Sequence, residues 1–336
     1  MTGPIAVVTG GAGFIGSHAV DALLARGFSV RVIDDLRGGR LANLAQVLDG
    51  GRVDFHELDI CDLPPNSGIF TGADLVLHFA GIGDIVPSVE RPADYMQTNV
   101  MGTVRVLEAA RHSQVRRLVY SASSSCYGAH PPVPTDEACP IVTEYPYALS
   151  KYLGEQAAFH WMKVYGLSVN SVRIFNAYGT RSRTSGAYGA VFGVFLKQKL
   201  AGRPFTVVGD GNQRRDFVFV TDVAEAFVRA ALVEQAGQIW NLGSGNPQSV
   251  NRLVELLGGP VVHIPRRPGE PAATWADPTG INRDLDWAPT VTFEQGVATV
   301  VANIDYWAEA PLWDAESIAT ATEPWFRLLS ESEEAV

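Results

Sequence analysis

The sequence predicts an α/β fold, with a doubly wound parallel β-sheet and a smaller, mostly helical C-terminal lobe. Short β-branched runs alternate with longer helical stretches over about the first half of the chain. The first run, residues 4–9, leads directly into a turn with Gly10, Gly13 and Gly16, and the second run ends in Asp34. Repeated βα units are typical of such sheets, whose ligands bind beyond the carboxyl ends of the strands.

The predicted elements follow in a regular order, and each strand ends in a polar cluster. After a helix at 17–26, strands are expected at 29–33, 53–58, 73–79, 117–121 and 168–175, helices at 93–113 and after Pro146, and a return to the sheet edge at 239–245. Apolar runs of this length fit strands that are buried on both faces of a parallel sheet. His78, at the end of one strand, is interpreted as a packed histidine rather than a catalyst.

Composition and charge limit the possible partners. The 336 residues are 46% hydrophobic and 18% charged, which suffices for one large domain or two lobes with a buried core. The net charge of −10 leaves no basic surface for a nucleic acid. No apolar run approaches the roughly 20 residues that cross a bilayer, and the N-terminus lacks a signal-peptide pattern. We therefore expect neither nucleic acid nor membrane as a partner.

The three cysteines indicate a reducing compartment. Cys61, Cys126 and Cys139 are an odd and sparse set, which does not suggest a disulfide framework. Their spacing shows no pattern of a metal site. We expect a cytoplasmic protein that binds no metal.

The glycine turn and Asp34 predict a dinucleotide site. The glycines allow a tight turn and bring backbone N–H groups against a pyrophosphate at a helix N-terminus. Asp34 would hydrogen-bond the adenosine ribose, which favours NAD because a carboxylate repels the 2′-phosphate of NADP. Arg37 and Arg40 lie nearby and leave NADP as the alternative.

Tyr147 and Lys151 form the second predicted centre. They lie four residues apart in a stretch of helical composition, so one face of a helix carries both. A cation within a few ångströms favours the phenolate and can lower a tyrosine pKa from about 10 by roughly 1–3. We expect Tyr147 to exchange a proton with a hydroxyl group of a sugar or alcohol, while Ser123 contacts the same oxygen. The alternative is an ordinary surface Tyr/Lys pair.

Taken together, these motifs resemble those of the extended short-chain dehydrogenase/reductase family, in particular its nucleotide-sugar epimerases and dehydratases. The resemblance covers nearly the whole chain and follows the family's order. Its motifs are Gly10-x-x-Gly13-x-x-Gly16, Asp34, Asp59-Ile60, His78-Phe-Ala-Gly81, Asn99-Val-Met-Gly-Thr103, Ser123, Tyr147/Lys151, Arg173-Ile-Phe-Asn176-Ala-Tyr-Gly179 and Gly209-Asp-Gly-Asn-Gln-Arg-Arg215. It implies a Rossmann fold with NAD as the cofactor.

The resemblance also assigns roles at the cofactor. The implied NAD contacts are Gly10, Gly13, Phe14, Ile15 and Gly16 at the pyrophosphate, Asp34 and Asp35 at the adenosine ribose, Asp59 and Ile60 at the adenine, Phe79, Ala80, Gly81 and Asn99 along the dinucleotide, and Tyr147 and Lys151 at the nicotinamide ribose. Tyr147, Lys151 and Ser123 are the implied catalytic residues.

A nucleotide sugar is the implied substrate, and a UDP-sugar is the expectation. The implied substrate contacts are Ser123, Ser124, Ser125 and Tyr147 at the sugar, Asn176, Arg215 and Arg267 at the diphosphate, and Glu270 at the nucleotide ribose. Two arginines and an amide suit a dianionic diphosphate in an acidic protein.

The loop before Tyr127 favours one reaction within this family. The 4,6-dehydratases and the decarboxylases place an acid there, whereas this chain has Ser124 and Ser125. A serine has no proton-transfer pKa near neutrality, so elimination of water would lack its general acid. A 4-epimerase that acts through a transient 4-keto sugar is therefore expected. A dehydratase or decarboxylase that takes its acid from elsewhere, or a non-catalytic NAD-sensing regulator, is the alternative.

Two residues, Thr274 and Arg183, bear on which type of sugar the site would accept. Thr274 falls where some galactose epimerases carry a bulky tyrosine, so a glucose-type, N-acetyl or hexuronic acid sugar would fit. Arg183 is positioned in sequence to meet a uronic acid carboxylate, or it is a solvated loop residue.

The domain boundaries and the assembly are expectations of the same kind. We expect an NAD-binding domain at 1–179, with strands also from about 205–245, and a substrate-binding lobe at 180–200 and 246–336. The aromatic tail from Pro311 to Leu329 is expected to pack against the body, with an interface as the second interpretation. The family resemblance implies a homodimer through the helices at about 93–112 and 147–165.

Overall fold

The computed structural model of the protein describes residues 3–182, 190–266 and 270–333. The strands are β1 (Ile5–Thr9), β2 (Ser29–Asp34), β3 (Val53–Glu57), β4 (Leu75–His78), β5 (Arg117–Ser123), β6 (Val169–Ile174), β7 (Asn176–Tyr178), β8 (Phe205–Val208), β9 (Arg214–Arg215), β10 (Phe217–Phe219), β11 (Ile239–Leu242), β12 (Gln248–Ser249) and β13 (Val261–Ile264). The helices are α1 (Phe14–Ala25), α2 (Ala45–Leu48), α3 (Pro92–Tyr95), α4 (Thr103–His112), α5 (Pro146–Tyr165), α6 (Val191–Leu200), α7 (Val220–Leu232), α8 (Val250–Leu257), α9 (Thr279–Leu285), α10 (Phe293–Ala302) and α11 (Ala315–Glu333).

Within the described residues, one seven-stranded sheet organises the molecule. Its strand order is β11-β6-β5-β4-β1-β2-β3, and all of its neighbours pair in parallel. The chain builds outward from β1 in both directions, so a crevice opens at the carboxyl ends of β1 and β4. This order confirms the predicted doubly wound α/β fold, including the return of residues 239–245 to the sheet edge as β11.

Helices cover both faces of the sheet and bury its apolar side chains. On one face α1 packs against α7, where Leu23 and Phe227 are fully buried. On the other face α4 packs against α5, where Leu107 and Ala158 are fully buried. Burial of an apolar side chain of leucine or phenylalanine size stabilises a fold by about 1.5–3 kcal/mol. These two layers therefore hold the strand ends in fixed positions.

Two predicted elements have different bounds in the structure. The helix expected at 93–113 begins at Pro92 and contains a π-helical segment, Met96–Gly102, before α4. Strand β5 continues two residues past its predicted end, because Ser123 pairs in register with Ile174 of β6. The extension brings Ser123 to the carboxyl edge of the sheet.

The smaller lobe combines helices with short strand pairs. Strands β7 and β10 pair in parallel, as do β8 and β13, whereas β9 and β12 are antiparallel. Of the strands between residues 205 and 245, β11 lies in the large sheet and β8 to β10 lie in these pairs. Aromatic rings dominate the core of this lobe, and Tyr178 stacks on Phe192 with 4.7 Å between the ring centroids.

The C-terminal tail packs against the body, as expected. Within it, Ile318 and Trp325 are almost completely buried. Throughout the described ranges, no helix combines the length and the apolar character that crossing a membrane requires.

Candidate active site

A cleft of about 1000 Å³ lies at the carboxyl ends of the central strands, between the sheet and the smaller lobe. It brings together residues that are far apart in the chain. The predicted site residues that line it are Gly10, Gly13, Phe14, Ile15, Gly16, Asp34, Asp35, Asp59, Ile60, Phe79, Ala80, Gly81, Ser123, Ser124, Ser125, Tyr147, Lys151, Asn176, Arg215, Glu270 and Thr274. Arg183 and Arg267 lie outside the described residues.

The glycine turn is shaped so that backbone, not side chain, faces the cleft. Gly10 has φ +69°, and a Cβ there would come within 2.7 Å of the Ala80 nitrogen. A Cβ at Gly16 would lie only 2.1 Å from the carbonyl oxygen of Gly10. Such contacts exclude any side chain at either position. The turn therefore presents the N-terminus of α1 as a cradle for a phosphate group.

Asp34 closes the adenosine end of the cradle. Its carboxylate accepts hydrogen bonds from the backbone N–H groups of Ala12, at 3.0 Å, and Leu36, at 2.9 Å. Burial raises the pKa of the carboxyl group, and these N–H groups act in the opposite direction. Asp34 is thereby held at the end of β2, where the sequence predicts a ribose contact.

Arg37 and Arg40, which made NADP the alternative cofactor in the sequence analysis, both contact other side chains in the structure. Arg37 forms ion pairs with Asp35 and with Asp59. The Arg40 guanidinium lies 5.3 Å from the centroid of the Tyr306 ring. Because Arg37 is engaged by two carboxylates, this end of the cleft favours a ribose hydroxyl group over a 2′-phosphate.

The Tyr147 hydroxyl lies among the serines of the β5 loop. Tyr147 is in the first turn of α5, which begins at Pro146. Proline suits this position because the first N–H groups of a helix have no acceptor within the helix. The Ser123 hydroxyl is 2.8 Å from that of Ser125, and it forms a hydrogen bond with Tyr147 that lowers the phenol pKa. The structure therefore places the predicted proton donor and its serine partner together.

The predicted effect of Lys151 on Tyr147 is not what the structure shows. The pKa of Tyr147 is raised, because burial of the phenol outweighs the hydrogen bond from Ser123 and the nearby Asp84 carboxylate adds to the rise. The sequence could not reveal this, since the spacing of two residues on a helix says nothing about how deeply the ring is buried.

Lys151 itself has an unusual environment. Its side chain is almost fully buried, and burial lowers the pKa of its ammonium group to about 8. The ammonium lies 4.8 Å from the centroid of the Tyr120 ring and makes no hydrogen bond or ion pair with any described residue. A buried ammonium without an acceptor is costly. A ribose hydroxyl of a dinucleotide would supply that acceptor, so the cleft fits NAD.

Asn99 lies behind the wall of the cleft rather than on it. Its side-chain amide donates to the Ile82 carbonyl oxygen and the Ser150 hydroxyl, and its oxygen accepts from the Ile82 N–H. It is nearly fully buried. Asn99 thus holds the loop after β4 in place beside Lys151.

His78 is a packed residue. Its two ring nitrogens lie 2.6 Å from the Thr9 hydroxyl and 2.9 Å from the Thr103 hydroxyl. Burial lowers its pKa to about 3. The ring is therefore neutral and links β1 to α4 through Thr9 and Thr103. This agrees with the sequence analysis, which interprets His78 as a packed residue and not as a catalyst.

The candidate diphosphate residues come from the short strands of the smaller lobe, with Asn176 in β7 and Arg215 in β9. The Arg215 guanidinium donates to Glu270 at 2.7 Å and to the carbonyl oxygen of Pro271 at 2.9 Å. The Thr274 hydroxyl donates to the Asn176 side-chain oxygen at 2.5 Å. Arg215 and Glu270 therefore form one contact pair in the cleft lining, and Asn176 and Thr274 form another.

Several residues of the cleft were missed by the sequence analysis. They are Asp84, Arg91, Glu144, Tyr145, Trp313 and Trp325. The signal available in the sequence was weak: Glu144 and Tyr145 adjoin the Tyr147 motif, but the two tryptophans come from the tail. Among the residues that the structure describes, no group of histidine, cysteine, aspartate and glutamate side chains could hold a metal ion.

Comparison with known proteins agrees with this geometry. Residues 6–243 match the NAD dependent epimerase/dehydratase family. The chain is 37% identical over 305 residues to a UDP-glucose 4-epimerase of Mycolicibacterium smegmatis, covering 88% of this chain and 96% of that one. It is 31% identical over 321 residues to a dTDP-glucose 4,6-dehydratase of Streptomyces niveus, covering 91% and 94%.

A solved structure shows the same similarity in three dimensions. The UDP-glucuronic acid 4-epimerase of Bacillus cereus, in complex with UDP-glucuronic acid and NAD, superposes with a TM-score of 0.83. The two chains are 28% identical, and the match covers 91% of this chain and 99% of that one. Together with the glycine cradle and the pair of Tyr147 and Lys151, these matches show that the chain belongs to the NAD-dependent epimerase/dehydratase family.

Proposed function

We propose that this chain is an NAD-dependent UDP-sugar 4-epimerase, which inverts C4 of the sugar through a transient 4-keto sugar. The observation that carries the proposal is one cleft that joins the glycine cradle, the Tyr147 and Ser123 hydroxyls and the Arg215 cation. Matched relatives with 4-epimerase activity support it over nearly their full length. The sugar is of the glucose/galactose, N-acetylhexosamine or hexuronic acid type.

The catalytic roles follow from the positions of the side chains. Tyr147, as phenolate, removes the proton from the 4-hydroxyl, and the Ser123 hydroxyl holds the same oxygen. Lys151 is proposed to hold the nicotinamide ribose, and the hydrogen bond from Ser123 is the contact that lowers the phenol pKa. The chemistry that a bound NAD supplies is reversible hydride transfer at C4 of the sugar. After the keto sugar turns to its other face, Tyr147 returns the proton to the new 4-hydroxyl.

We propose that the residues of the smaller lobe anchor the substrate by its nucleotide. Arg215 and Asn176, with Arg267, are proposed to hold the diphosphate, and Glu270 the nucleotide ribose. Arg215 is suited to this because a guanidinium matches an anionic oxygen pair. Thr274 is small and leaves room for a substituted sugar. An anchor at the diphosphate lets the keto sugar turn while the nucleotide stays bound.

A dehydratase remains the second candidate because two carboxylates from outside the serine loop line the cleft. Asp84 is close enough to Tyr147 to raise its pKa. A Cβ on Gly128 would lie 3.2 Å from a Glu144 carboxylate oxygen. Either group is a possible source of the proton that the elimination of water requires, although Ser124 and Ser125 are not.

We also propose a cytoplasmic homodimer. Large apolar side chains are exposed on the two helical stretches that the family resemblance assigns to a dimer interface. They are Met101, Leu149, Leu153 and Val164, at 48%, 36%, 37% and 52% exposure. Burying such a row against a second copy would remove it from water. Cys61, Cys126 and Cys139 are all free thiols, which fits a reducing compartment.

Product analysis tests the proposed reaction. The purified protein, loaded with NAD, is incubated with UDP-glucose, UDP-N-acetylglucosamine or UDP-glucuronate, and products are identified by NMR. We expect a C4 epimer of unchanged mass from at least one of them. A 4-keto-6-deoxy sugar, or release of carbon dioxide, would assign the chain to the second candidate instead.

A further inference from the structure

Three contacts use the full hydrogen-bonding capacity of the Ser123 hydroxyl group. Ser123 ends β5, and its side-chain oxygen accepts the backbone N–H of Ser125 at 3.2 Å, so it caps the 3-10 turn Ser124–Tyr127. The same oxygen lies 2.8 Å from the side-chain oxygen of Ser125. Its third partner is the Tyr147 hydroxyl. Because a serine hydroxyl has one proton and two lone pairs, Ser123 can donate to only one of its two hydroxyl partners.

The phenolate form of Tyr147 decides which partner that is. A phenolate has no proton and can only accept, so the proton of Ser123 has to point to it. The bond between the two serines must then run from the Ser125 hydroxyl to the Ser123 oxygen, a direction that their distance alone leaves open. If Ser123 donated to Ser125 instead, the phenolate would lose this donor. The Ser125 hydroxyl therefore controls whether Ser123 can stabilise the phenolate.

Tyr145 is the donor at the outer end of this arrangement. Its hydroxyl forms a hydrogen bond with Ser125, and burial raises its pKa, so the phenol keeps its proton at neutral pH. The Tyr145 ring is parallel to that of Tyr147, with 6.5 Å between the centroids and 8° between the planes. Trp325 packs on Tyr145 at 5.2 Å between the ring centroids, which holds the ring in place. Each of the two parallel tyrosines thus contacts one serine of the same turn.

We propose that Ser125 is a positioning residue, which directs the Ser123 proton toward Tyr147 and itself accepts a proton from Tyr145. This inference rests on the proposed acid–base role of Tyr147. The donors follow one another in a single direction, and each proton stays on its own oxygen. A hydroxyl that receives a hydrogen bond becomes a stronger donor, so the contacts reinforce one another. The arrangement offsets part of the cost that burial imposes on a phenolate.

The pH dependence of turnover separates this role from a purely structural one. The NAD-loaded full chain is assayed on UDP-glucose from neutral to alkaline pH as the wild type, Ser125→Ala and Ser125→Thr. The alanine variant loses the hydroxyl but keeps the backbone N–H that Ser123 caps, and the threonine variant keeps both. Tyr145→Phe tests the outer donor and keeps the inference testable if Ser125→Ala does not fold. Its matched control is Tyr165→Phe, at an exposed tyrosine of the same helix.

The expected change is a shift of the pH profile toward alkaline pH. Ser125→Ala should lower kcat at pH 7 about tenfold, because losing the directed donor raises the pKa of the acid–base by about one unit. The loss should shrink as the pH rises, and the Kd of UDP should change less than about twofold. Tyr145→Phe should lower kcat about threefold in the same way. Ser125→Thr and Tyr165→Phe should match the wild type.

Three results would overturn the inference. An unchanged profile in Ser125→Ala would show that Ser123 needs no direction from its neighbour. A loss of equal size at every pH, or an equal loss in Ser125→Thr, would show that the side chain only shapes the turn. An unchanged profile in Tyr145→Phe would remove Tyr145 as the outer donor.

A failure of the proposed function would look different. A wild type that turns over no UDP-sugar would remove the proposed reaction. The inference would then be decided by titrating the near-ultraviolet phenolate absorbance of each protein against the same protein with Tyr147→Phe added. A Tyr147 pKa that is the same in the wild type and in Ser125→Ala would contradict the inference, and a higher one in Ser125→Ala would support it.

Discussion

At the scale of single residues, burial decides the chemistry of Tyr147. Burial raises the pKa of its phenol, and the hydrogen bond from Ser123 acts in the opposite direction. We predict that Tyr147→Phe retains NAD but lowers turnover by at least about a hundredfold, the scale expected for a lost acid–base group. Steady-state rates and bound-cofactor absorbance measure the two effects. Tyr165→Phe, an exposed tyrosine on the same helix, serves as the control, and equal turnover of both variants would remove Tyr147 from the mechanism.

Lys151 gives a second prediction at this scale, concerning stability. Its folded pKa is about 8, below the ordinary value of 10.5, so the native state holds the proton less tightly than the unfolded chain does. The wild type is therefore destabilised below pH 8, and this penalty disappears as the pH rises toward 10.5. Without cofactor, Lys151→Met should raise the free energy of unfolding by about 1–3 kcal/mol at pH 7.

Urea denaturation at several pH values measures this effect. The gain of Lys151→Met over the wild type should shrink as the pH rises from 8 to 10.5. Lys163→Met, an exposed lysine on α5, should change stability little at any pH. A variant that is less stable than the wild type at pH 7 would mean that the ammonium has a stabilising partner in the folded chain.

At the scale of elements, a buried ion pair fixes α5 against the sheet. The Arg173 guanidinium of β6 donates to Glu155 of α5 at 2.6 Å, and both side chains are at most 4% exposed. The Ser171 hydroxyl also donates to Glu155, at 2.6 Å. The pair therefore fixes α5, the helix that carries Tyr147, against β6.

Neutralising the carboxylate should be strongly destabilising. We predict that Glu155→Gln lowers the free energy of unfolding by about 3–5 kcal/mol, because Arg173 is left buried without its counterion. Glu255→Gln, which removes an exposed partner of Arg252, should cost less than about 1 kcal/mol. Chemical denaturation measures both. Similar losses in the two variants would contradict a special role for the buried pair.

The elements also show which features a sequence can predict. The glycine turn, Asp34 and the strand ends depend on local patterning, and the structure has them at the expected positions. The position of Trp325 depends on how the last helix packs across the molecule, which no local pattern encodes. The same holds for Glu144, whose neighbour in space is Gly128, and for the burial of Tyr147. The catalytic roles that the sequence assigns stay predictions until variants are measured.

At the scale of the whole molecule, the exposed apolar row on α5 predicts self-association. We expect the wild type to sediment as a dimer at micromolar concentration. Leu153→Glu places a charge in the row and should shift the protein to a monomer, because burying an unpaired carboxylate is unfavourable. Leu232→Glu, at an apolar residue of α7 with 41% exposure, is the matched control and should remain dimeric. A monomeric wild type would contradict the proposed assembly.

The fate of hydrogen at the sugar carbons tests the central claim most directly. The NAD-loaded protein is incubated with its UDP-sugar substrate in D₂O, and the product is followed by proton NMR. The account predicts inversion at C4 with the original hydrogen retained there, because hydride leaves and returns without meeting solvent, and with no deuterium at C5. Deuterium at C5 together with loss of the 6-hydroxyl would show elimination of water and would contradict a 4-epimerase.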